Sequence, residues 1–386
     1  MRSESSAPVG LALGGLLSLA VAMGIGRFVY TPILPVMADG LGLSASQAGL
    51  IASANFAGYL LGALAAATPR LPGSRRAWLV GALLASALTT GLMGLAGGMA
   101  AFLTLRFAGG LASAFVMVFA SSLVLDRLAA AGRPGLASLH FAGVGTGIAL
   151  SALIVAGLAG ADWRVLWGAS GVAALLAVPA IAILMPREPD GASRAASAGA
   201  PFAPGRRLTA LIAAYGLFGF GYVITATFLV AIVREAPTLR PVEPWIWLAV
   251  GLAGAPSIAL WTLVARRTGT IPAFAAACIV EAVGVALSVL ASGALGALLS
   301  AAFLGGTFIA ITALGLVAAR ALSPSDPRRV VALMTASFGA GQILGPLVAG
   351  LMVDRAGSYA GPSYVAAALL VAAAMVALVA REPRPA

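Results

Sequence analysis

An arginine stands deep in an apolar run that extends from about residue 9 to residue 37. Its surroundings read Met23-Gly24-Ile25-Gly26-Arg27-Phe28-Val29-Tyr30-Thr31-Pro32-Ile33-Leu34-Pro35. A guanidinium is permanently charged, and its planar fork of N–H groups matches a carboxylate or phosphate with two parallel hydrogen bonds. On a helix, Arg27, Tyr30, Thr31 and Leu34 share one face through i, i+3, i+4, i+7 spacing. That face could hold an anionic group. The competing reading is an arginine that ties helices together through backbone carbonyls or a carboxylate elsewhere. Pro32 and Pro35 remove backbone donors and are expected to bend or loosen the C-terminal end of this helix.

Other residues in apolar runs could do chemistry. Phe218-Gly219-Phe220-Gly221-Tyr222-Val223-Ile224-Thr225 repeats the glycine pattern, with Tyr222 where the first copy has Arg27. Tyr215, Phe218, Tyr222 and Thr225 form a stripe of rings and hydroxyls that suits an organic ligand or ordinary helix packing. Arg106 sits one turn inside another run, as a functional cation or one that snorkels to the interface. Glu281 is the acid near the middle of a run; a carboxyl buried there without a partner holds its proton, which makes it a proton-carrying candidate. His140 shares a face with Gly143, Gly147 and Ser151 and could titrate or simply pack. Asn55, Thr146 and Gln342 are polar within runs and are candidates for ligand contact, whereas Asp126 with Arg127 reads as a helix-end charge cluster.

The elements that position these residues follow from composition. Of 386 residues, 61% are hydrophobic and 9% charged, against roughly 25% charged in soluble domains. No soluble core hides so much apolar side chain, so lipid must solvate most of it. About twelve spans of ~20 residues account for the length. They are placed near 9–37, 45–68, 77–97, 101–126, 136–159, 164–185, 208–233, 245–265, 271–291, 295–320, 330–353 and 362–380. The long polar break between the sixth and seventh, 186–207, reads as a linker.

All 23 basic residues are arginine, and the net charge is +11. Arg70, Arg75, Arg76, Arg127, Arg133, Arg266, Arg267, Arg328 and Arg329 mark alternate loops, which orients both termini and the linker to the cytoplasm. Only Arg164, Arg234, Arg240 and Arg355 fall at the opposite ends, so the charge reports topology and not nucleic-acid binding. Trp163, Trp167, Trp245 and Trp247 fall at outer interfaces, and Trp78 and Trp261 at inner ones. An N-terminal signal peptide cleaved after Ala20-Val21-Ala22 is disfavoured, because it would remove part of a repeated element. Cys278 is alone, which rules out an intrachain disulfide or a cysteine metal site. Phosphate-loop, zinc-protease and serine-hydrolase patterns are missing, so no enzyme activity, metal or cofactor is expected.

The two sets of spans align at an offset of about 195 residues, as expected of a duplication. Gly58 pairs with Gly254, Phe107-Ala108-Gly109-Gly110 with Phe303-Leu304-Gly305-Gly306, and Gly143-Val144-Gly145 with Gly339-Ala340-Gly341. Arg106-Phe107-Ala108-Gly109-Gly110 resembles the fourth-span arginine motif of the major facilitator superfamily, with Gly109 where glutamine is usual. The loop from Gly62 to Arg76 resembles that superfamily's loop motif without its aspartate. The first span, together with Leu139-His140-Phe141-Ala142-Gly143-Val144-Gly145-Thr146-Gly147, resembles the YbfB/YjiJ-like branch. The superfamily's Gly-Pro motif is absent from the fifth span, while Gly345-Pro346 stands in the eleventh.

The resemblance implies an all-α membrane protein of about twelve transmembrane helices. Residues 1–185 and 208–386 would form two pseudo-symmetric six-helix bundles around a central site that works by alternating access. Arg27, Tyr30, Thr31, Asn55, Tyr222, Thr225 and Gln342 are then the substrate-binding candidates, and Arg106, His140 and Glu281 the coupling or gating candidates. More embedded cations than acids favour proton-coupled uptake of a small organic anion. The alternatives are an efflux pump for amphipathic compounds and a non-transporting sensor or scaffold. The expected setting is a monomer in the bacterial inner membrane, with lipid, proton and a small-molecule substrate as partners.

Overall fold

Residues 6–68, 71–186, 204–324 and 326–381 are described by the computed structural model. Most of the expected linker at 186–207 lies outside these residues. Every regular element among the described residues is helical. The first span contains α1 (Ser6–Leu19), a π-helical turn (Ala20–Ile25) and α2 (Tyr30–Leu41). Then come α3 (Ala45–Ala66), α4 (Arg75–Leu92), α5 (Met99–Ala130), α6 (Ala137–Gly157) and α7 (Trp163–Leu184). The remainder is α8 (Arg206–Glu235), α9 (Glu243–Thr268), α10 (Thr270–Leu290), α11 (Ala294–Leu322), α12 (Pro327–Ala356) and α13 (Ala360–Leu378).

Twelve of these helical stretches are long and apolar enough to cross a membrane. Large apolar side chains lie open on the helices, with Ile183 84% and Leu176 74% exposed, as lipid but not water tolerates. Helix ends follow local chemistry. Ser74 Oγ accepts from Ala77 N–H to begin α4, and Asp162 accepts from Arg164 N–H to begin α7. Gly42 and Gly357 end α2 and α12 in left-handed conformations that only glycine adopts cheaply.

By contact the chain forms two compact units. Unit 1 holds Met1–Leu43, Ala54–Ala196 and Trp247–Pro256; unit 2 holds Ser44–Ser53, Ser197–Ile246 and Ser257–Ala386. Within unit 1, α6 approaches the first span at glycines. Cβ atoms on Gly143 and Gly147 would strike the backbones of Leu16 and Ala20. Gly58 and Gly62 likewise let α3 lie against Phe107 and Leu111 of α5. Within unit 2, Gly341 and Gly345 bring α12 onto Gly216 and Phe220 of α8. Lipid removes most of the hydrophobic drive between helices, so close backbone packing supplies much of their attraction. The four-residue glycine spacings read from the sequence are therefore packing seams.

Three of the four tryptophans expected at outer interfaces are covered by protein. Trp163, Trp167 and Trp247 are buried, while Trp245 remains exposed. Their rings pack against protein around the first span, a competing use of the same amphipathic side chain.

Gly147→Ala is expected to destabilise the protein by about 1–3 kcal/mol, because the added methyl meets backbone and not a side chain that can turn away. Gly157→Ala, with nothing within 4 Å of its Cβ position, should be neutral or slightly stabilising. Thermal unfolding of the two purified variants separates these outcomes.

Candidate functional site

The first span changes register just before Arg27. Gly26 N–H donates to Val21 O at 2.8 Å and Phe28 N–H to Met23 O at 3.1 Å, each five residues back. Such π turns recur at functional positions in helices. Pro32 offers no N–H to Phe28 O, and Thr31 N–H takes that carbonyl at 3.2 Å instead. The irregular stretch therefore falls a turn before Pro32, where the missing donor is felt, and the helix resumes as α2 at Tyr30.

Arg106 of α5 closes this break. Its Nη1 donates to Gly26 O at 3.2 Å and its Nη2 to Arg27 O at 3.0 Å. Its guanidinium carbon lies 5.0 Å from the Tyr30 ring centre and 5.7 Å from that of Trp167. Asn55 of α3 donates from Nδ2 to the carbonyl of Arg106 at 2.9 Å. Gly109, the departure from the arginine motif, borders the same place: a Cβ there would lie 3.1 Å from Thr89 Oγ1 and 3.9 Å from Asn55 Nδ2. Thus α3 holds α5 at Arg106, and Arg106 holds the first span at the peptide carrying Arg27.

Arg27 itself is 3% exposed. Its guanidinium carbon is 4.1 Å from the ring centre of Tyr59, 4.7 Å from that of Phe56 and 5.4 Å from that of Phe28. Its Nε and Nη2 are buried and have no hydrogen-bond partner among the described residues. Unit 1 therefore buries two guanidiniums, and no buried carboxylate is found among its described residues. Each cation–π contact contributes about 2 kcal/mol when desolvated. Removing an ion from water costs several kcal/mol. A carboxylate at ~4 Å would return about 4 kcal/mol at an effective dielectric near 20. The Nε–Nη2 edge of Arg27 is thus left without a compensating group among the described residues.

Tyr30 and Thr31 are buried at the start of α2, Tyr30 with its ring toward Arg106. In unit 2, Tyr222 stacks nearly parallel to Phe308 at 5.6 Å and to Phe338 at 5.7 Å. Gln342 Nε2 donates to the Tyr222 hydroxyl. Gln342 Oε1 and Thr225 Oγ1 stay buried without partners among the described residues. Tyr215 OH donates to Thr312 O at 3.0 Å, so the α8 stripe is largely occupied with its own neighbours. His140 lies elsewhere in unit 1, with Nε2 3.1 Å from Ser121 Oγ and its ring against Gly15 of α1. Gly15 precedes Arg27 by roughly three helical turns, ~18 Å of rise. Glu281 is fully buried in α10 with Thr307 as a polar neighbour, and neither carboxyl oxygen has a hydrogen-bond partner of good geometry among the described residues. The Thr307 hydroxyl donates to Phe303 O at 2.6 Å, within its own helix.

Phe56 and Tyr59 border Arg27, Trp167 borders Arg106 and Trp247 packs on Phe28; none of the four is a site candidate in the sequence. Asn55, Phe56 and Tyr59 recur at helical spacing in α3, a signal that could have paired them with Arg27.

These features define a class: the fold is that of major facilitator superfamily transporters. It is similar to the crystal structure of a point mutant of the nucleoside transporter NupG, with a TM-score of 0.74 and 14% identity, covering 96% of this chain and 100% of that one. It is equally similar to a bacterial homolog of the human lysosomal transporter Spinster, in an inward-facing and occupied conformation, with a TM-score of 0.74 and 16% identity, covering 98% and 97%. At such identities the likeness shows the fold alone. The sequence is more specific: residues 19–378 match the family described as "Uncharacterised MFS-type transporter YbfB", and the chain belongs to that family. It is a multi-pass membrane transporter and not an enzyme. No curated protein matches the chain in sequence.

Arg106→Gln should cost about 3 kcal/mol of stability, since hydrogen bonds to charged groups are worth ~1.5–3 kcal/mol and two carbonyls are left behind. Arg27→Gln gives up ring contacts and the Tyr59 interaction but also the cost of a buried charge, and it strands no carbonyl. It should therefore lose clearly less unliganded stability than Arg106→Gln. Thermal unfolding without ligand distinguishes the two; equal losses would mean that Arg27 is also structural.

Proposed function

We propose that this transporter carries a small organic anion, a carboxylate in the first instance, and that Arg27 holds it. The supporting observation is the buried, unpartnered Nε–Nη2 edge of Arg27. Rings line the guanidinium, and the free edge is a fork of two N–H groups that takes a carboxylate bidentately. Tyr30 and Thr31 extend the site along α2, and Asn55 Oδ1, which has no partner, offers an acceptor to a substrate hydroxyl. Within unit 2, Tyr222, Thr225 and Gln342 stay as the substrate-binding candidates of that unit.

Uptake of a monoanion against a cytoplasm-negative potential costs about 2.3 kcal/mol per 100 mV, and one accompanying proton cancels that charge. Proton symport is therefore the proposed energy source. Glu281 is the buried carboxyl available to carry the proton, with His140 as the second titratable candidate and Arg106 fixing the position of Arg27.

Thermal stabilisation of the purified protein by a carboxylate panel tests the anion assignment, because a ligand selective for the folded state raises its apparent stability. At least one carboxylate should stabilise the wild type, and Arg27→Ala should weaken it roughly 10- to 100-fold. Stabilisation by lipophilic cations that survives Arg27→Ala would instead favour efflux of amphipathic compounds. In proteoliposomes, Glu281→Gln should abolish accumulation driven by a proton gradient while sparing counterflow; unchanged accumulation would remove Glu281 from the coupling scheme.

A further inference from the structure

Four tryptophans fall into two kinds by the fate of the indole N–H. Trp78 Nε1 donates to Pro72 O at 2.7 Å, and Trp261 Nε1 donates to Gly306 O at 2.8 Å. These indoles are satisfied by backbone. Trp167 and Trp247 are at most 1% exposed, and their Nε1 atoms are buried with no partner among the described residues. A buried indole N–H ordinarily finds an acceptor, so each exception marks a place where one is absent.

Both exceptions belong to unit 1, beside the broken first span. Trp167 adjoins Arg106, whose Nη1 and Nη2 are committed to Gly26 O and Arg27 O. Trp247 adjoins Arg27 through one shared ring. Its ring centre is 6.5 Å from that of Phe28, and the Arg27 guanidinium carbon is 5.4 Å from the same Phe28 ring. That shared ring bounds the separation of the two donors to the length of a medium-sized organic acid. The free edge of Arg27 and the indole of Trp247 are all donors and attract the same complement, acceptor oxygens.

We propose that the Trp247 indole N–H is the second donor of the anion site, so that the transported acid carries an acceptor oxygen in addition to its carboxylate. This rests on the carboxylate reading of Arg27 and narrows it to hydroxy- or oxo-acids. Plain aliphatic acids would bind the fork and leave the indole unsatisfied. Sites built to hydrogen-bond a polar substituent discriminate against analogues that lack it, because their own buried group is then left unpaired.

The experiment compares hexanoate with hexanoates bearing a hydroxyl or oxo group at carbon 2, 4 or 6, as Kd values for the purified full-length protein. Wild type should bind at least one oxygenated acid about tenfold more tightly than hexanoate, the worth of one hydrogen bond. Trp247→Phe keeps a ring and removes the N–H; it should erase that ratio and leave the hexanoate Kd unchanged. Arg27→Gln should weaken every acid alike. Equal binding of hexanoate and all oxygenated acids by wild type, or a preference that survives Trp247→Phe, overturns the role of Trp247 while the carboxylate reading stands. If wild type binds none of the acids, both fall. Should Trp247→Phe not fold, wild type labelled at its indole nitrogens decides. A downfield move of a buried indole N–H resonance with an oxygenated acid but not with hexanoate supports the proposal, and no move overturns it.

Discussion

Two guanidiniums buried at one interrupted helix, Arg27 on it and Arg106 against it from α5, with no buried carboxylate among the described residues of the same unit, set the terms for this protein. Burying a cation is expensive, and the chain uses two different solutions. Arg106 spends its terminal nitrogens on the carbonyls of Gly26 and Arg27. Arg27 receives aromatic faces and a polar interaction with Tyr59, which soften the cost without cancelling the charge. One arginine is thus structural in its contacts and the other is left with capacity. The interruption favours this division, because the carbonyls of Gly26 and Arg27 lie where the regular i to i+4 ladder is broken and compete less with the helix's own N–H groups.

The internal repeat shows which part of the design is general. Both copies keep the glycines that let helices meet backbone to backbone: α6 against the first span in unit 1, α12 against α8 in unit 2. The copies differ at the position that matters for charge. Tyr222 stands where Arg27 stands, and α8 runs unbroken from Arg206 to Glu235. A neutral ring needs neither a counter-ion nor freed carbonyls, and stacking between Phe308 and Phe338 with a hydrogen bond from Gln342 accommodates it. Packing constrains both halves alike, while the electrostatic problem exists in only one.

Much of the fold could be read from the sequence, because hydropathy and glycine spacing are local signals. The twelve spans correspond to span-length helices, and the glycines spaced four apart lie at close helix contacts. The site was harder for three physical reasons. The effect of Pro32 appears at the carbonyl four residues earlier, so the break at Gly26 to Val29 precedes the proline that contributes to it. Trp167 and Trp247 lie near span ends, where interfacial anchoring and burial call for the same side chain, and only tertiary structure chooses between them. The rings around Arg27 come from its own span and from α3, and periodicity reports which face a residue occupies but not what it meets. Arg27 and Asn55 were identified by their cost in an apolar run; Phe56 and Tyr59 carry no such cost and passed unnoticed.

The pairing of a fixed arginine with an unsatisfied one bears on how a transporter can sense its cargo. Arg106 binds the peptide of Arg27, so the backbone beneath the open guanidinium is tied to α5 and, through Asn55, to α3. On the proposed reading, an anion at the Nε–Nη2 edge would cancel one of the two buried charges. The coupling would pass through a short covalent and hydrogen-bonded path: Arg27 side chain, Arg27 carbonyl, Arg106, Asn55. An empty site retains an uncompensated cation in a low-dielectric setting, and a filled one does not. The difference in electrostatic energy between those two states is a free-energy source by which binding could bias a conformational equilibrium, since a ligand shifts an equilibrium only by its differential interaction with the two states. A lysine would serve less well at either position. Its ammonium could reach both carbonyls but without the fixed planar fork with which Arg106 holds them. It could not be lined by rings and still present a flat edge to a carboxylate, as the Arg27 guanidinium does.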